Sequence, residues 1–279
     1  MSVEVVVILA GALVGLSYVI SKRLAETRFH PATLTAAYSL VSALLILPFA
    51  FTTFKLPDTP FLWFLSIVSP LIFGLAFVFG FKAYQTVDAS VVGLISRLSI
   101  VFAVLIGISF LGEAYTMKSF YGLALVLFGS LIVLYEGRQI IFQKGEFFAL
   151  LMALGYGGVA VLDKKILEGF SPLTYVFFNN LLIVVVFHFF KSVRSETVSL
   201  LKTQTKLVIR SGLCGVAGWS LFLVTIQNEA VTKLYPIWES AALIVTVFAA
   251  VLWLKERTRL VQKFIGLIFT VVGIFLLAM

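Results

Sequence analysis

The chain has 279 residues, of which 61% are hydrophobic and only 12% are charged, and its mean hydropathy is +1.10. Soluble domains carry about 25% charged residues, so this chain lacks the polar surface that a soluble fold of its length needs. The composition excludes an ordinary globular protein and predicts a multi-pass protein of the cell membrane, with apolar surface facing lipid. The net charge of +8 comes from short segments between apolar runs, which favours lipid headgroups over nucleic acid as the partner.

Ten apolar runs approach the ~20 residues that a helix needs to cross a bilayer. Turn-forming or charged residues separate them, and the longest predicted loop is 191–206. The first and sixth runs are rich in glycine, which predicts close helix packing there. The predicted fold class is therefore all-α integral membrane, with ten transmembrane helices at 3–20, 32–51, 61–81, 89–111, 118–135, 146–163, 173–190, 207–227, 231–254 and 261–278.

The second half of the chain repeats the first. Residues 21–26 (Ser-Lys-Arg-Leu-Ala-Glu) correspond to residues 163–168 (Asp-Lys-Lys-Ile-Leu-Glu), and Gly122 and Gly129 correspond to Gly266 and Gly273. Polar and glycine positions that keep their spacing predict two five-helix repeats, residues 1–140 and 141–279. Because five is odd, the second copy is expected to cross the membrane in the opposite sense, as an inverted repeat.

The chain resembles the ten-helix EamA-type members of the drug/metabolite transporter superfamily. The resemblance rests on the five-plus-five repeat and on two similar helix endings, residues 110–113 (Phe-Leu-Gly-Glu) and 253–256 (Trp-Leu-Lys-Glu). The second ending has Lys255 where the family usually has glycine, and the proline often seen in the fourth helix is absent. The resemblance implies a carrier of small organic metabolites, such as amino acids, with a central cavity that the fifth and tenth helices do not line. Export is the expected direction.

Two charges lie inside apolar runs at equivalent places in the repeat, Arg97 and Glu239. A charge at the centre of a transmembrane helix costs about 2.5–3.5 kcal/mol on insertion scales, so both side chains must face protein or water. Arg97 is a candidate for binding a substrate carboxylate or for a structural salt bridge. Glu239 is a candidate for pairing with Arg97, for carrying a coupling proton or for binding a substrate amine.

Polar and amphipathic aromatic side chains near the middle of other runs are further candidates for substrate binding. Tyr38-Ser39 in the second run and Asn179-Asn180 in the seventh run occupy matching positions of the repeat. The same Ser and Asn side chains could instead connect helices by hydrogen bonds, and most aromatics in such a chain face lipid or pack. Tyr18, Tyr84, Trp219 and Trp238 complete the ten residues predicted to bind substrate, and Gln85, Tyr156, Gln227 and Tyr235 are further candidates of the same kind.

The sequence gives no reason to expect an enzyme, a cofactor or a metal. It contains no phosphate-binding loop, no metalloprotease helix and no nucleophile elbow, and Cys214 is its only cysteine. Glu113 and Glu256, which close the two similar helix endings, are expected to cap or pair rather than to react. The leading hypothesis is a secondary transporter that works by alternating access. A flippase of a lipid-linked molecule, a membrane enzyme and a non-transporting scaffold are the alternatives.

The distribution of basic residues predicts the orientation. Loops that follow odd-numbered runs hold fifteen Lys and Arg residues, and loops on the other side hold five. By the positive-inside rule, the first side is expected to be cytoplasmic and both termini to lie outside.

Overall fold

The computed structural model describes residues 2–111, 117–136, 139–140, 143–227 and 231–278. These residues are mainly helical, and proline or a capping side chain starts several helices. Two-residue strands β1 (Tyr135–Glu136) and β2 (Gln139–Ile140) pair antiparallel. The helices are α1 (Val3–Ala25), α2 (Pro31–Ala50), α3 (Pro60–Thr86), α4 (Ala89–Ser96), α5 (Leu98–Leu111), α6 (Met117–Leu134), α7 (Lys144–Ile166), α8 (Pro172–His188), α9 (Lys191–Thr203), α10 (Thr205–Ile226), α11 (Val231–Trp253) and α12 (Leu260–Ala278).

Seven spans within the described ranges are long and apolar enough to cross a membrane, namely α1, α2, α3, α4 with α5, α7, α10 and α11. Helix α8 reaches that length only together with α9, and the two are bent by 117°. Helices α6 and α12 contain shorter apolar segments, Phe120–Ile132 and Leu260–Leu276. The predicted helical membrane class is therefore confirmed, whereas the number of ten crossings stays a prediction.

The fourth predicted span is not one continuous helix. Helix α4 ends at Ser96 and α5 begins at Leu98, so the break falls on Arg97. Around it, Arg97 N–H donates to the carbonyl of Leu94 at 3.3 Å, and Ile100 N–H donates to the carbonyl of Arg97 at 3.0 Å. These three-residue hydrogen bonds tighten the helix locally, which is frequent at functional hinges. The break places the only charge among the described residues of this span where the regular helix is interrupted.

The segment 191–206, predicted to be the longest loop, is helical instead. Its helix α9 buries Val193, Thr197 and Leu200 on one side and exposes most of its charged residues. The carboxylate of Glu196 accepts a hydrogen bond from Thr33 Oγ1 at 2.7 Å, which attaches α9 to the start of α2. A polar helix with one narrow apolar stripe is typical of a membrane surface, and its polarity is why the segment resembles a loop in the sequence.

Repeat-related residues make reciprocal contacts in the structure. A Cβ atom built on Gly129 would lie 2.7 Å from the carbonyl oxygen of Gly266, and one built on Gly273 would lie 2.6 Å from the carbonyl oxygen of Gly122. Since Gly122 corresponds to Gly266 and Gly129 to Gly273, exchanging the two copies maps one contact onto the other. Helices α6 and α12 therefore pack at backbone distance through equivalent glycines of the two copies.

Two lysines show the same symmetry. Lys22 Nζ donates to the carbonyl of Tyr84 at 2.6 Å, and Lys164 Nζ donates to the carbonyl of Ile226 at 3.1 Å. Each carbonyl lies in the last turn of a helix, where orphan carbonyl groups and the helix dipole favour a cation. Helix α1 thus contacts the end of α3 as α7 contacts the end of α10. The lysines that define the repeat in the sequence hold equivalent helix ends.

The loop between α11 and α12 binds the N-terminus of α4. The carboxylate of Glu256 accepts hydrogen bonds from the backbone N–H groups of Ala89 at 2.6 Å and Ser90 at 3.1 Å, and from Ser90 Oγ at 2.6 Å. A carboxylate in this place satisfies free N–H groups and the positive end of the helix dipole. Glu256 therefore caps a helix, as expected. Its counterpart Glu113 lies outside the described residues.

Asp88, which precedes α4, accepts hydrogen bonds from Lys263 Nζ and Thr258 Oγ1, both at 2.7 Å. Burial raises the pKa of the Asp88 carboxyl, but the bonds from Lys263 and Thr258 outweigh it and hold this pKa below the ordinary 3.8. A carboxyl with a lowered pKa stabilises the fold above its unfolded pKa, and that stabilisation is lost only as the pH falls through the folded value. The pair therefore holds α4 to α12 at neutral pH.

Lys255 has a left-handed backbone, with φ of 58°. The equivalent helix ending of the first repeat, residues 110–113, has glycine at this position in its sequence, and the residue that follows Lys255 is the cap Glu256. The left-handed conformation costs a residue with a Cβ atom about 1–2 kcal/mol, and glycine adopts it freely. Backbone geometry therefore favours glycine at this position, and lysine adopts it at a cost in free energy.

We expect Lys255→Gly to stabilise the protein by about 0.5–1 kcal/mol. The change removes the left-handed strain, and the greater freedom of glycine in the unfolded chain cancels part of the gain. Thermal unfolding of purified protein in detergent measures the difference. Lys255→Ala is the control, because alanine removes the lysine but keeps the strained Cβ. Equal stability of the two variants would contradict the explanation.

Candidate functional site

A cavity of about 70 Å³ lies at the centre of the bundle. Helices from both repeats form its wall, and none of the residues that line it belongs to α6 or α12. The volume suffices for several water molecules or a small organic group. The lining side chains are mostly aromatic or aliphatic, with a few polar groups at Ser17, Tyr18, Tyr38, Ser42, Tyr156, Asp163, Asn180, Tyr235 and Glu239.

Arg97 is 1% exposed and does not line this cavity. Its guanidinium donates to the carbonyl of Gly93 at 3.1 Å, to Ser96 Oγ at 3.1 Å and to the carbonyl of Glu239 at 2.8 Å. It also forms an ion pair with the carboxylate of Glu239. With most of its five N–H donors bound to protein, Arg97 positions α11 against α4 in this conformation and does not reach a solute directly.

Glu239, which is 3% exposed, connects this pair to the cavity that it lines. The predicted pairing of Arg97 with Glu239 is confirmed, and the two charges cancel. A single buried charge left without its partner typically destabilises a protein by about 3–5 kcal/mol. The cavity wall therefore includes the carboxylate of Glu239, whose charge is compensated by Arg97 outside the lining.

Two predicted tyrosines, Tyr18 on α1 and Tyr38 on α2, line the cavity. The hydroxyl of Tyr38 lies directly against Gly215 of α10, where a Cβ atom would occupy its place. Gly215 thus makes room for a tyrosine from the other repeat. The hydroxyl is fixed in place by this contact, so it can present one defined hydrogen-bonding group to a solute.

The two predicted tryptophans also line the cavity. Trp219 stacks on Phe73 with ring centroids 5.0 Å apart, and Trp238 stacks on Phe222 at 4.6 Å. Trp238 Nε1 is buried and has no hydrogen-bond partner among the described residues. A buried donor without a partner is costly, so a ligand oxygen at this wall would be favourable.

The neighbouring asparagines differ in position. Asn180 lines the cavity, with its Nδ2 donating to the carbonyl of Val176 at 2.9 Å. Asn179 is fully buried outside the lining, and its Nδ2 approaches the hydroxyl of Tyr175 at 3.4 Å. Adjacent residues on a helix point about 100° apart, so only one of them can face the centre. The structure brings Tyr38 together with Asn180 rather than with Asn179.

Ser39 and Tyr84 are buried but do not line the central cavity. Tyr84 lines a small adjacent pocket of about 10 Å³, which it shares with Tyr18 and Tyr156. Ser39 follows Tyr38 on α2 and, by the same helical geometry, faces another direction. Six of the ten predicted residues therefore line the cavity, and Arg97, Ser39, Asn179 and Tyr84 surround it.

Sequence reasoning missed one prominent residue of the wall, Asp163 at the end of α7. Asp163 is 3% exposed, and its Oδ1 accepts hydrogen bonds from the hydroxyl of Tyr175 at 2.5 Å and from Ser69 Oγ at 3.0 Å. In the sequence it precedes Lys164 and Lys165, which is typical of charges at a membrane edge. The only sequence signal that could have distinguished Asp163 is the repeat, in which the corresponding residue of the first copy is the uncharged Ser21.

Comparisons with known proteins decide the family. A model of the EamA-like transporter family matches the chain twice, over residues 1–135 and 143–279. The chain belongs to the EamA-like transporter family. A comparison with curated proteins finds no match. A solved structure, described as "Crystal structure of protein", matches over 98% of this chain and 94% of its own, with a TM-score of 0.66 and 14% identity, and this likeness shows the fold alone.

Membership of the EamA-like family makes this chain a multi-pass membrane transporter of small solutes with two repeats. The lining of the cavity agrees with what the resemblance implied, because the last helix of each copy stays outside it. Within the described residues, no group of three His, Cys, Asp or Glu side chains is placed to hold a metal ion.

For this EamA-like protein, we expect Arg97→Met and Glu239→Leu each to lower the free energy of unfolding by about 3–5 kcal/mol, because each leaves one buried charge uncompensated. The double variant should recover most of that loss, since it removes both charges together. Thermal stability and monodispersity in detergent measure both effects. A double variant no more stable than the worse single variant would show that the pair is not one electrostatic unit.

Proposed function

We propose that the protein is a secondary transporter of small organic solutes, such as amino acids or related metabolites, that works by alternating access. The observation that supports this most is the central cavity, whose wall combines side chains from both repeats and encloses a carboxylate compensated by Arg97. A site between two related halves is the arrangement around which a transporter rearranges to open to one side of the membrane and then to the other. Export from the cell is the proposed direction.

The proposed architecture consists of two inverted repeats, residues 1–140 and 141–279, with ten crossings of the cell membrane. Helices α6, α8 and α12 supply the three crossings beyond the seven long spans. The reciprocal contacts of Gly129 and Gly273, and of Lys22 and Lys164, support a two-fold relation between the copies. Five crossings in each copy then require the second to be inverted, with both termini outside on the charge distribution.

In this mechanism the break at Arg97 lets α4 and α5 tilt separately. Helix α11 contacts α1 at backbone distance, where Gly11 meets the carbonyl of Trp238 and Gly15 meets that of Ala242. Helices α1 and α11 are therefore suited to move as one body. The Arg97–Glu239 pair joins that body to the break between α4 and α5, so it transmits motion of α1 and α11 to α4 without adding net charge to the path.

Substrate contacts are proposed for the predicted residues that line the cavity: Tyr18, Tyr38, Asn180, Trp219, Trp238 and Glu239. Aromatic faces bind the apolar part of a solute, and the hydroxyl, amide and indole N–H groups orient its polar part. Arg97, Ser39, Asn179 and Tyr84 are proposed to position these side chains. A proton carried by Glu239 is the proposed coupling ion.

Uptake into proteoliposomes from a panel of labelled amino acids and related solutes tests the function. We expect saturable uptake and counterflow for at least one solute, absent from liposomes without protein, and stimulation by an imposed pH gradient if a proton is coupled. Tyr38→Phe should raise KM for that solute by about 2- to 10-fold, the effect of one hydrogen bond.

Tyr121→Phe is the matched control, because Tyr121 on α6 is 63% exposed and far from the lining. It should leave KM unchanged. Equal KM values for the two variants would remove Tyr38 from the site. Movement of a lipid-linked probe, with no solute transported, would favour a flippase, and no transport of either kind would favour a scaffold.

A further inference from the structure

Asp163 is the buried acid of the cavity that the pairing of Arg97 with Glu239 leaves unexplained. Both hydrogen bonds that its carboxyl accepts go to the same atom, Oδ1. No hydrogen bond within the described ranges involves Oδ2, although Asp163 lines the cavity. Both hydroxyl donors are used on Oδ1, so Oδ2 has no donor among the described residues and remains available to a partner inside the cavity.

The neighbouring cations are engaged elsewhere. On the same helix, Lys164 Nζ donates to the carbonyl of Ile226 on α10, and Lys165 pairs with the exposed carboxylate of Glu168 at 2.8 Å. Arg97 is held by Glu239. In the part of the chain that the structure describes, Asp163 therefore has no ion-pair partner, whereas buried charges in proteins are normally paired.

Helix packing does not require this carboxyl. The residue that corresponds to Asp163 in the first repeat is Ser21, which joins α1 to α10 through a hydrogen bond between Ser21 Oγ and Ser211 Oγ at 2.8 Å. An uncharged hydroxyl thus serves in the equivalent helix contact of the same fold. The second repeat has an ionisable acid where the first repeat has a hydroxyl. Helix packing explains the hydrogen bonds at this position, but it does not explain why the residue is an acid.

Aromatic rings lie beside Asp163 in the cavity wall. Tyr175, whose hydroxyl binds the carboxyl, packs edge-on against Trp219 with ring centroids 6.1 Å apart, and Phe73 stacks on the same Trp219. Trp219 and Phe73 both line the cavity. Aromatic faces attract ammonium groups through the ring quadrupole, most strongly when the cation is out of water. A carboxylate beside such faces is the chemistry that recognises an organic ammonium ion.

We propose that Asp163 binds the ammonium group of a cationic organic solute, with Trp219 and Phe73 forming the aromatic part of the site. The inference rests on the proposed transport function and narrows its substrate class to solutes with an amine or quaternary ammonium group. The solute supplies the positive charge that the protein does not. Glu239 is excluded from this role while Arg97 compensates it.

Equilibrium binding of radiolabelled tetramethylammonium to purified protein in lipid nanodiscs tests the proposal. The competitors are tert-butanol and 2,2-dimethylpropanoate, which are compact branched molecules of similar size that are uncharged and anionic, respectively. We expect saturable binding of the cation that neither competitor displaces. Asp163→Asn should weaken that binding by about tenfold or more, while its side-chain oxygen still accepts hydrogen bonds from Tyr175 and Ser69.

Glu168→Gln is the control, because it removes one negative charge from an exposed residue next to the same helix. It should leave the affinity unchanged. Asp163→Glu keeps the charge and should retain binding, which keeps the test valid if Asp163→Asn folds poorly. Displacement by tert-butanol or 2,2-dimethylpropanoate, or undiminished binding to Asp163→Asn, would overturn the proposal.

The failure of this proposal differs from a failure of the transport function. If a neutral or anionic solute enters proteoliposomes while tetramethylammonium does not bind, the role of Asp163 is wrong and the transporter remains. If no solute enters and tetramethylammonium does not bind, both are overturned.

Discussion

The guanidinium of Arg97 lies out of water between α4, α5 and α11, and oxygen atoms surround it. An arginine in an apolar span is tolerable only when its charge and its donors are satisfied inside the protein. Glu239 meets both needs, through its carboxylate and its backbone carbonyl. The meeting of the two repeats at this point is therefore imposed by electrostatics, and the positions of α4 and α11 follow from it.

Because the pair is neutral, the charge and polarity of the cavity depend on the other residues of the wall. Those residues are mostly aromatic or aliphatic, and the other acid in the wall is Asp163, which has no ion-pair partner among the described residues. The glycines that let α1 approach α11, and α6 approach α12, replace a hydrophobic driving force that lipid does not provide. The helices pack closely outside the cavity and leave space inside it. A solute site needs both features, because rigid helices must hold the cavity open.

Arg97 and Glu239 could be recognised in the sequence because a charge within an apolar run is costly and therefore informative. The repeat was likewise visible in the sequence, since Lys22 and Lys164 keep their spacing. The structure adds that the two lysines make equivalent contacts. Asp163 was not identified from the sequence because it lies at the end of an apolar run beside two lysines. A charge at such a place costs little free energy and is therefore common. Helix α9 was predicted to be a loop because its mean hydropathy is low. Its helical character lies in one apolar stripe, which a segment mean does not show.

The choice between Asn179 and Asn180 shows another limit of sequence reasoning. Both residues are polar and lie at matching places in the repeat, and helix rotation alone decides which one faces the cavity. That rotation depends on packing between α2 and α8, which a single sequence does not encode in a readable way. The conformation of Lys255 is similar, because a left-handed residue is visible only once the backbone is known.

Cysteine accessibility at Ala160 tests the central claim, a cavity that opens alternately to each side of the membrane. Ala160 on α7 lines the cavity, and Leu154 on the same helix is 46% exposed towards the outside of the bundle. With Cys214 replaced by alanine, we predict that Ala160→Cys reacts with an impermeant thiol reagent both in intact cells and in inside-out vesicles. A transported solute should slow both reactions, and Leu154→Cys should show no such protection. Reaction from one side only, unaffected by any solute, would contradict alternating access.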